Sequence, residues 1–256
     1  MSNSTKDTSR LNRCGWSSFR PQLFLNEPGR KSRDLGSAFI RLLKDYSKGK
    51  RILELCCGAG KLLIQLARQG YDVVGLDLSR KMLEVCRREV EKEPENVRKR
   101  IRLVWEDMCT FELKETYHFI ILEDDGFGYL LSKEEQLSCL RRVGMHLSSP
   151  GLFFLSCKTP DLELACQGSY EYDPLLQIKK EACKWDTIDE HGNKRTVEEG
   201  FERRKLTYPC ELELLLEIAG LEALHRWGDL DRNPFTDPSK QAYNYLVRKK
   251  EHRRLG

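Results

Sequence analysis

From Lys48 to Lys158 the chain alternates two kinds of hydrophobic pattern. Short continuous apolar runs, at Ile52 to Cys56, YDVVGLD, IRLVWE, YHFIILE and GLFFLS, have the length and composition of strands covered on both faces. Between them lie stretches of helical spacing at 61–69, 79–93 and 133–147, and another at 34–46 feeds the first strand. In the second of these Met82, Leu83, Cys86 and Val90 share one face, with Ser79 as N-cap and Pro94 as the stop. Strand and helix in strict alternation predict a parallel sheet with right-handed crossovers.

After Lys158 the rhythm changes. EACKWDTID and KRTVEEGFERRKLTY alternate in part and flank His191-Gly192-Asn193, a composition suited to a hairpin turn. The pattern predicts an antiparallel insertion at about 159–208, ahead of a helix near Cys210 to Ala219 that Gly220 caps. LEALHRWGD and YNYLVRK then finish the sheet. The expected organisation is a segment and helix at 1–47 covering the site, a main domain at 48–249 that carries the insertion, and a basic tail at 250–256.

The chemistry gathers where the first strand ends, at Gly58-Ala59-Gly60. Glycines there allow a sharp turn and leave no Cβ between the main chain and a ligand lying over the strand ends. The helix that follows opens with free N–H groups and the positive end of its dipole. Asp77 closes the second strand at nearly the spacing from which an acid reaches the hydroxyls of a ribose. A dinucleotide fingerprint would need a third small residue three places after Gly60, and Leu63 stands there.

These residues resemble the first motif of the class I S-adenosylmethionine-dependent methyltransferases, an acid followed by small residues and Gly-x-Gly, here Glu54, Cys56, Cys57, Gly58, Ala59 and Gly60. The family more often has glycine where Cys56 stands. The resemblance, of the methyltransferase domain 25/11-like, small-molecule type, continues through Asp77-Leu78-Ser79, Met82, Trp105-Glu106-Asp107-Met108, HLSSPGLFFLS and AYNYLVRK. It implies a doubly wound, Rossmann-like, seven-stranded α/β sheet, mostly parallel with an antiparallel last strand, plus the antiparallel insertion after strand five. It also implies S-adenosylmethionine as cofactor, held by Glu54, Cys56, Gly58, Gly60, Asp77, Leu78, Met82, Asp107, Met108 and Glu123, with S-adenosylhomocysteine as product. Asp77 would take the ribose, Leu78 and Met82 the adenine face, and Asp107 and the Met108 backbone the adenine edge.

The fourth strand ends in Glu123-Asp124-Asp125-Gly126. Enzymes that methylate adenine in nucleic acid or glutamine in release factors carry Asp/Asn-Pro-Pro-aromatic at this place, and this chain does not. The string is similar to small-molecule N- and O-methyltransferases, which implies a small polar acceptor and makes nucleic acid an unexpected one. Glu123, Asp124 and Tyr129 are the catalytic candidates near the strand ends. Trp16, Arg20, Tyr129, Tyr170, Arg204 and Trp227 are the candidates for a substrate wall, with Arg204 considered as a carboxylate clamp. Methylation of a protein or peptide side chain, and a non-catalytic cofactor-binding subunit, stand as alternatives.

Composition narrows the picture further. A chain of 256 residues, 39% hydrophobic, suits one domain with an insertion. It has no apolar run long enough to span a membrane, and its polar start suggests a cytoplasmic protein. Ten cysteines form no Cys-x-x-Cys pair, so the expectation is reduced, mostly buried thiols and no metal. A net charge of +4, gathered largely in a solvated run and the tail, gives no dense basic stripe.

Overall fold

The computed structural model describes residues 9–15, 35–158, 170–188, 194–236 and 242–250. The turn expected at His191-Gly192-Asn193 and the tail beyond Lys250 lie outside the described residues.

A short helix α1 (Ser9–Cys14) stands apart in sequence from α2 (Leu35–Tyr46). The alternation then runs β1 (Arg51–Leu55), α3 (Lys61–Arg68), β2 (Asp72–Asp77), α4 (Arg80–Glu91), α5 (Glu95–Arg98), β3 (Ile101–Trp105), β4 (Tyr117–Leu122), α6 (Lys133–His146) and β5 (Leu147–Cys157). The insertion supplies β6 (Glu171–Asp173), β7 (Ile178–Ile188) and β8 (Lys194–Lys205). Helix α7 (Pro209–Ile218), β9 (Leu221–Trp227) and β10 (Tyr243–Lys249) complete the chain.

The main sheet has seven strands in the order β3-β2-β1-β4-β5-β10-β9. The strands from β3 to β5 pair in parallel, and β10 runs antiparallel to both neighbours. This is the Rossmann-like architecture the resemblance implies. Chain order reverses between β1 and β4, so a crevice opens beyond the carboxyl ends of these two strands. Both faces of the sheet are packed: Leu53, Leu55, Ile120, Phe153 and Tyr245 belong to one core, and Ile52, Phe119, Ile121, Phe154 and Leu246 to the other. Period-two alternation in buried strands produces this division directly.

Three details differ from the sequence reading. The first strand runs Arg51–Leu55, one residue short of the expected end at Cys56, which lies in the left-handed region at φ 55. Pro94 ends α4 but also opens the four-residue helix α5, which the charged run RREVEKEPENVRKR concealed. The insertion is a three-stranded sheet, because Glu171–Asp173 pairs along β7.

Leu63, too bulky for a dinucleotide fingerprint, is accommodated from the opposite side. A Cβ on Gly75 in β2 would fall inside contact distance of Leu63 Cδ1 and 2.9 Å from Cys57 Sγ. The small residue that close helix–strand packing needs is therefore on the strand. Gly75→Ala is expected to cost about 1–2 kcal/mol in urea denaturation, near the low end for overpacking because Leu63 Cδ1 is a side-chain tip. Adding Leu63→Ala should make the cost of the Gly75 change smaller than in the Leu63 background of the native chain.

Candidate functional site

A cavity of about 830 Å³, counting its open mouth, occupies the crevice beyond β1, β2 and β4. Its floor begins at the turn after β1. Cys56 and Gly58 both have positive φ, and Gly60, at φ 80, is the N-cap of α3. Among the described residues a Cβ on Gly58 would meet the flexible tip of Met82, Cε, at 3.3 Å and the Cys56 carbonyl at 4.0 Å, and Gly58 itself lines the cavity. The left-handed geometry at Cys56 explains the family's preference for glycine there.

Asp77 fixes that turn to the second strand. Its two carboxylate oxygens accept the backbone N–H groups of Gly58 and Ser79, each at 2.8 Å. Burial raises the pKa of the Asp77 carboxyl against the pull of those two N–H donors. Ser79 caps α4 through Met82 N–H, and Trp105 Nε1 donates to the Leu78 carbonyl at 2.8 Å, which holds Leu78 and Met82 at the cavity wall. Met108 lies across from them, its sulfur 3.5 Å from the Cys56 thiol.

Glu54 stands beneath this floor. It is buried in β1, receives the Leu63 N–H, and has one carboxylate oxygen with no hydrogen-bond partner among the described residues. Burial raises its pKa well above the usual carboxylate range, and Cys86, Glu123 and Asp77 add to the effect. Neither Glu54 nor Gly60 lines the cavity; Gly60 instead lies against Cys86, where a Cβ would collide with the thiol.

The far end of the cavity is built by the turn after β4. Asp124 and Asp125 sit in succession at φ 53 and 58 and lead into a single 3₁₀ turn, Gly126–Tyr129. Two non-glycine residues in that region cost backbone energy, so something must hold them. The buried Asp125 carboxylate accepts the Lys158 N–H at 3.0 Å and Arg204 Nη1 at 3.1 Å. Arg204, carried in on β8, also donates to Tyr129 Oη at 2.6 Å and pairs with Glu202. Tyr129 Oη in turn donates to Glu202 at 3.1 Å. Burial pushes the Tyr129 phenol well above its ordinary pKa, and Glu202, Asp124 and Asp125 add to the effect against the pull of Arg204. Burial also acts to raise the Glu202 carboxyl, but Arg204 outweighs it and Glu202 stays below the usual range.

Helix α1 closes the remaining side. Arg10, Leu11 and Cys14 line the cavity, and Arg10 pairs with Asp107 and with Glu135 at the start of α6. Asp107 also accepts the Cys109 N–H at 2.8 Å.

The structure thus brings Cys56, Gly58, Asp77, Leu78, Met82, Asp107, Met108, Glu123, Asp124, Tyr129 and Arg204 to one cavity. It leaves others outside. Tyr170 is buried in the insertion under Lys179, and Trp227 packs on Tyr46 and His225 near Arg232 at the sheet's far edge. Trp16 and Arg20 lie outside the described residues. The sequence reading missed Arg10, Leu11 and Glu202, none of which belongs to a local motif. It also offered Arg204 as a substrate clamp, whereas its guanidinium is engaged by Asp125, Glu202 and Tyr129.

Residues 52–151 match the methyltransferase domain family model. That stretch is a methyltransferase domain of the class I S-adenosylmethionine-dependent kind. A protein of Geobacillus sp. (strain WCH70) named as a methyltransferase is 30% identical over 122 residues, 46% of this chain and 48% of that protein. The chain therefore spans about half the length of that relative. The cypemycin N-terminal methyltransferase of a Streptomyces species is 24% identical over 211 residues, 78% of this chain and 84% of that one. Among solved structures, the CcbJ methyltransferase of Streptomyces caelestis superposes with a TM-score of 0.77 at 22% identity, over 93% of this chain and 99% of the other. The glycopeptide N-methyltransferase MtfA, solved with S-adenosylmethionine, gives 0.63 at 18% identity, over 86% and 89%.

The residues present fit the family's cofactor. Gly58 offers bare backbone, Asp77 a carboxylate at ribose spacing, Leu78, Met82 and Met108 an apolar flank, and the orphaned oxygen of Glu54 a buried acceptor nearby. S-adenosylmethionine supplies a methyl group on a positively charged sulfur. Among the described residues no helix is long and apolar enough to cross a membrane.

Proposed function

We propose that the chain transfers a methyl group from S-adenosylmethionine to nitrogen or oxygen of a small polar acceptor, in the cytoplasm. The carrying observation is one continuous cavity that runs from Gly58 and Asp77 to Glu123, Asp124 and Tyr129 under a cover of α1 and β8. In this reading Asp77 binds the ribose, Gly58 and Cys56 leave room for the methionine end, and Leu78, Met82 and Met108 grip the adenine. Asp107, steadied by Arg10, lies at the adenine edge. Glu123 and Asp124 face the acceptor, and Tyr129 forms its wall. Positioning two reactants in such a closed site can contribute on the order of 7–11 kcal/mol to the rate.

A peptide amino group is the second reading, favoured by the relative named for methylating the cypemycin N-terminus. The test is to incubate the chain with S-adenosylmethionine and separate panels of amino sugars, polyols, phenols, short peptides, folded proteins and RNA, following S-adenosylhomocysteine release. Release that depends on a small acceptor is expected. Release with folded protein or RNA alone would contradict the reading.

A further inference from the structure

Helix α1 comes to the cavity from outside the βαβ unit, and its contacts fall on separate parts of the fold. Arg10 pairs with Asp107 after β3 and with Glu135 in the first turn of α6. Cys14 Sγ donates to the Tyr129 carbonyl at 3.1 Å. Gly15, at φ 88, lies so close to β8 that a Cβ there would collide with the Phe201 carbonyl. A six-residue helix therefore joins the end of the cavity assigned to adenine to the wall assigned to the acceptor.

Arg10 is the residue of α1 that meets the adenine end. It lines the cavity, its side chain is 12% exposed, and both of its partners are themselves anchored. Asp107 Oδ1 accepts the Cys109 N–H at 2.8 Å as well as Arg10 Nη1. Glu135 Oε2 accepts the Leu131 N–H at 2.9 Å, and the Glu135 N–H donates to the Ser132 hydroxyl at 3.2 Å. A guanidinium is a rigid planar fork, so spanning two anchored carboxylates fixes its plane and, through it, the carboxylate of Asp107. A carboxylate has about four lone-pair sites, so with these two donors on Oδ1 it can still accept from an amine in the cavity. Direction matters at an adenine edge. The 6-amino group donates, whereas the 6-oxo group of hypoxanthine accepts and its ring N1 carries a proton. A carboxylate held still beside the amino position favours adenine, and one free to turn can meet the N1–H of hypoxanthine instead.

We infer that Arg10 is a positioning residue that aims Asp107 at the adenine amino group, so that selection of adenine over other purines depends on a helix 97 residues away in sequence. The inference rests on the methyl-transfer reading, with its cofactor in this cavity, and deepens it. Arg10 acts through Asp107, and the seat that α1 finds on α6, Tyr129 and β8 is what keeps its guanidinium in place.

The experiment is calorimetric titration of the full chain with S-adenosylhomocysteine and with S-inosylhomocysteine, its 6-oxo analogue. It compares the native protein with Arg10→Met, Arg10→Lys and Arg13→Met, each checked for folding by circular dichroism. The native protein is expected to favour the adenosyl ligand about 10-fold or more, the scale of one hydrogen bond to a charged group. Arg10→Met should cut that preference several-fold, and Arg10→Lys, which keeps the charge without the planar fork, should cut it less. Should Arg10→Met not fold, Arg10→Lys carries the same comparison. Arg13→Met is the control for seating alone, because Arg13 pairs with Glu135 at 2.6 Å on the exposed side of α1 and its loss leaves the Arg10–Asp107 pair in place. It should lower both affinities alike or leave both unchanged. A native protein without the preference, a preference that Arg10→Met leaves unchanged, or one that Arg13→Met lowers as much would overturn the assignment of Arg10 and leave cofactor binding intact. Tighter binding of the adenosyl ligand by Arg10→Met would overturn it too, since Arg10 would then compete with adenine for Asp107. Failure of the native protein to bind either ligand would overturn the cofactor reading and this assignment together.

Discussion

Replacing Arg204 with Met is expected to lower the free energy of unfolding by about 3–5 kcal/mol, the usual cost of removing one partner from a buried ion pair. The side chain is 8% exposed and its partner Asp125 3%, so little water is at hand to screen what remains. Asp125 and Glu202 would lose the guanidinium they share, leaving Glu202 the weaker pull of Lys158, and Tyr129 Oη would lose its 2.6 Å donor. The damage is local in space but joins three distant parts of the chain. Asp125 also holds the N–H of Lys158 at the end of β5, and the turn it belongs to carries two left-handed residues. Urea denaturation followed by circular dichroism measures the loss. The triple change Arg204→Met, Asp125→Asn and Glu202→Gln should recover a large part of it, because the penalty comes from uncompensated charge. A single variant as stable as the native chain would show that the insertion does not depend on this pair.

Asp77→Ala should weaken S-adenosylmethionine binding by about 1.5–3 kcal/mol, the range for a hydrogen bond to a charged group. That corresponds to roughly 10- to 150-fold in affinity. Two losses combine in this substitution. The ribose loses its acceptor, and the N–H groups of Gly58 and Ser79 lose the 2.8 Å bonds that set the turn and the start of α4. Asp77→Asn keeps one carbonyl oxygen for one of those N–H groups and should fall between. Unchanged affinity in a folded Ala variant would contradict the assignment of this end of the cavity.

The contrast between these two residues shows what can be read from the chain before folding. Gly58 and Asp77 lie within one βαβ unit and Met82 on the helix that follows it, where strand period, turn glycines and helix face are all local signals, and their placement follows from them. YNYLVRK likewise reads as a strand and is one, Tyr243–Lys249. Arg204 carries no such signal. It lies 79 residues from Asp125, on an insertion strand where arginine is ordinarily solvated, and only the tertiary fold reveals its commitment. Arg10 and Asp107 are 97 residues apart and equally silent. Trp227, a substrate-wall candidate, lies on β9, the outermost strand of the sheet, packed on Tyr46 and away from the β1/β4 crevice. Helix α5 was hidden because a four-residue helix is too short to show a period.

The most direct measurement is calorimetric titration of the purified full chain with S-adenosylmethionine, with NAD as a control. Saturable binding of S-adenosylmethionine, none of NAD, and marked weakening in Asp77→Ala are the results the account predicts. A folded protein that binds NAD, or that binds neither ligand, would contradict it.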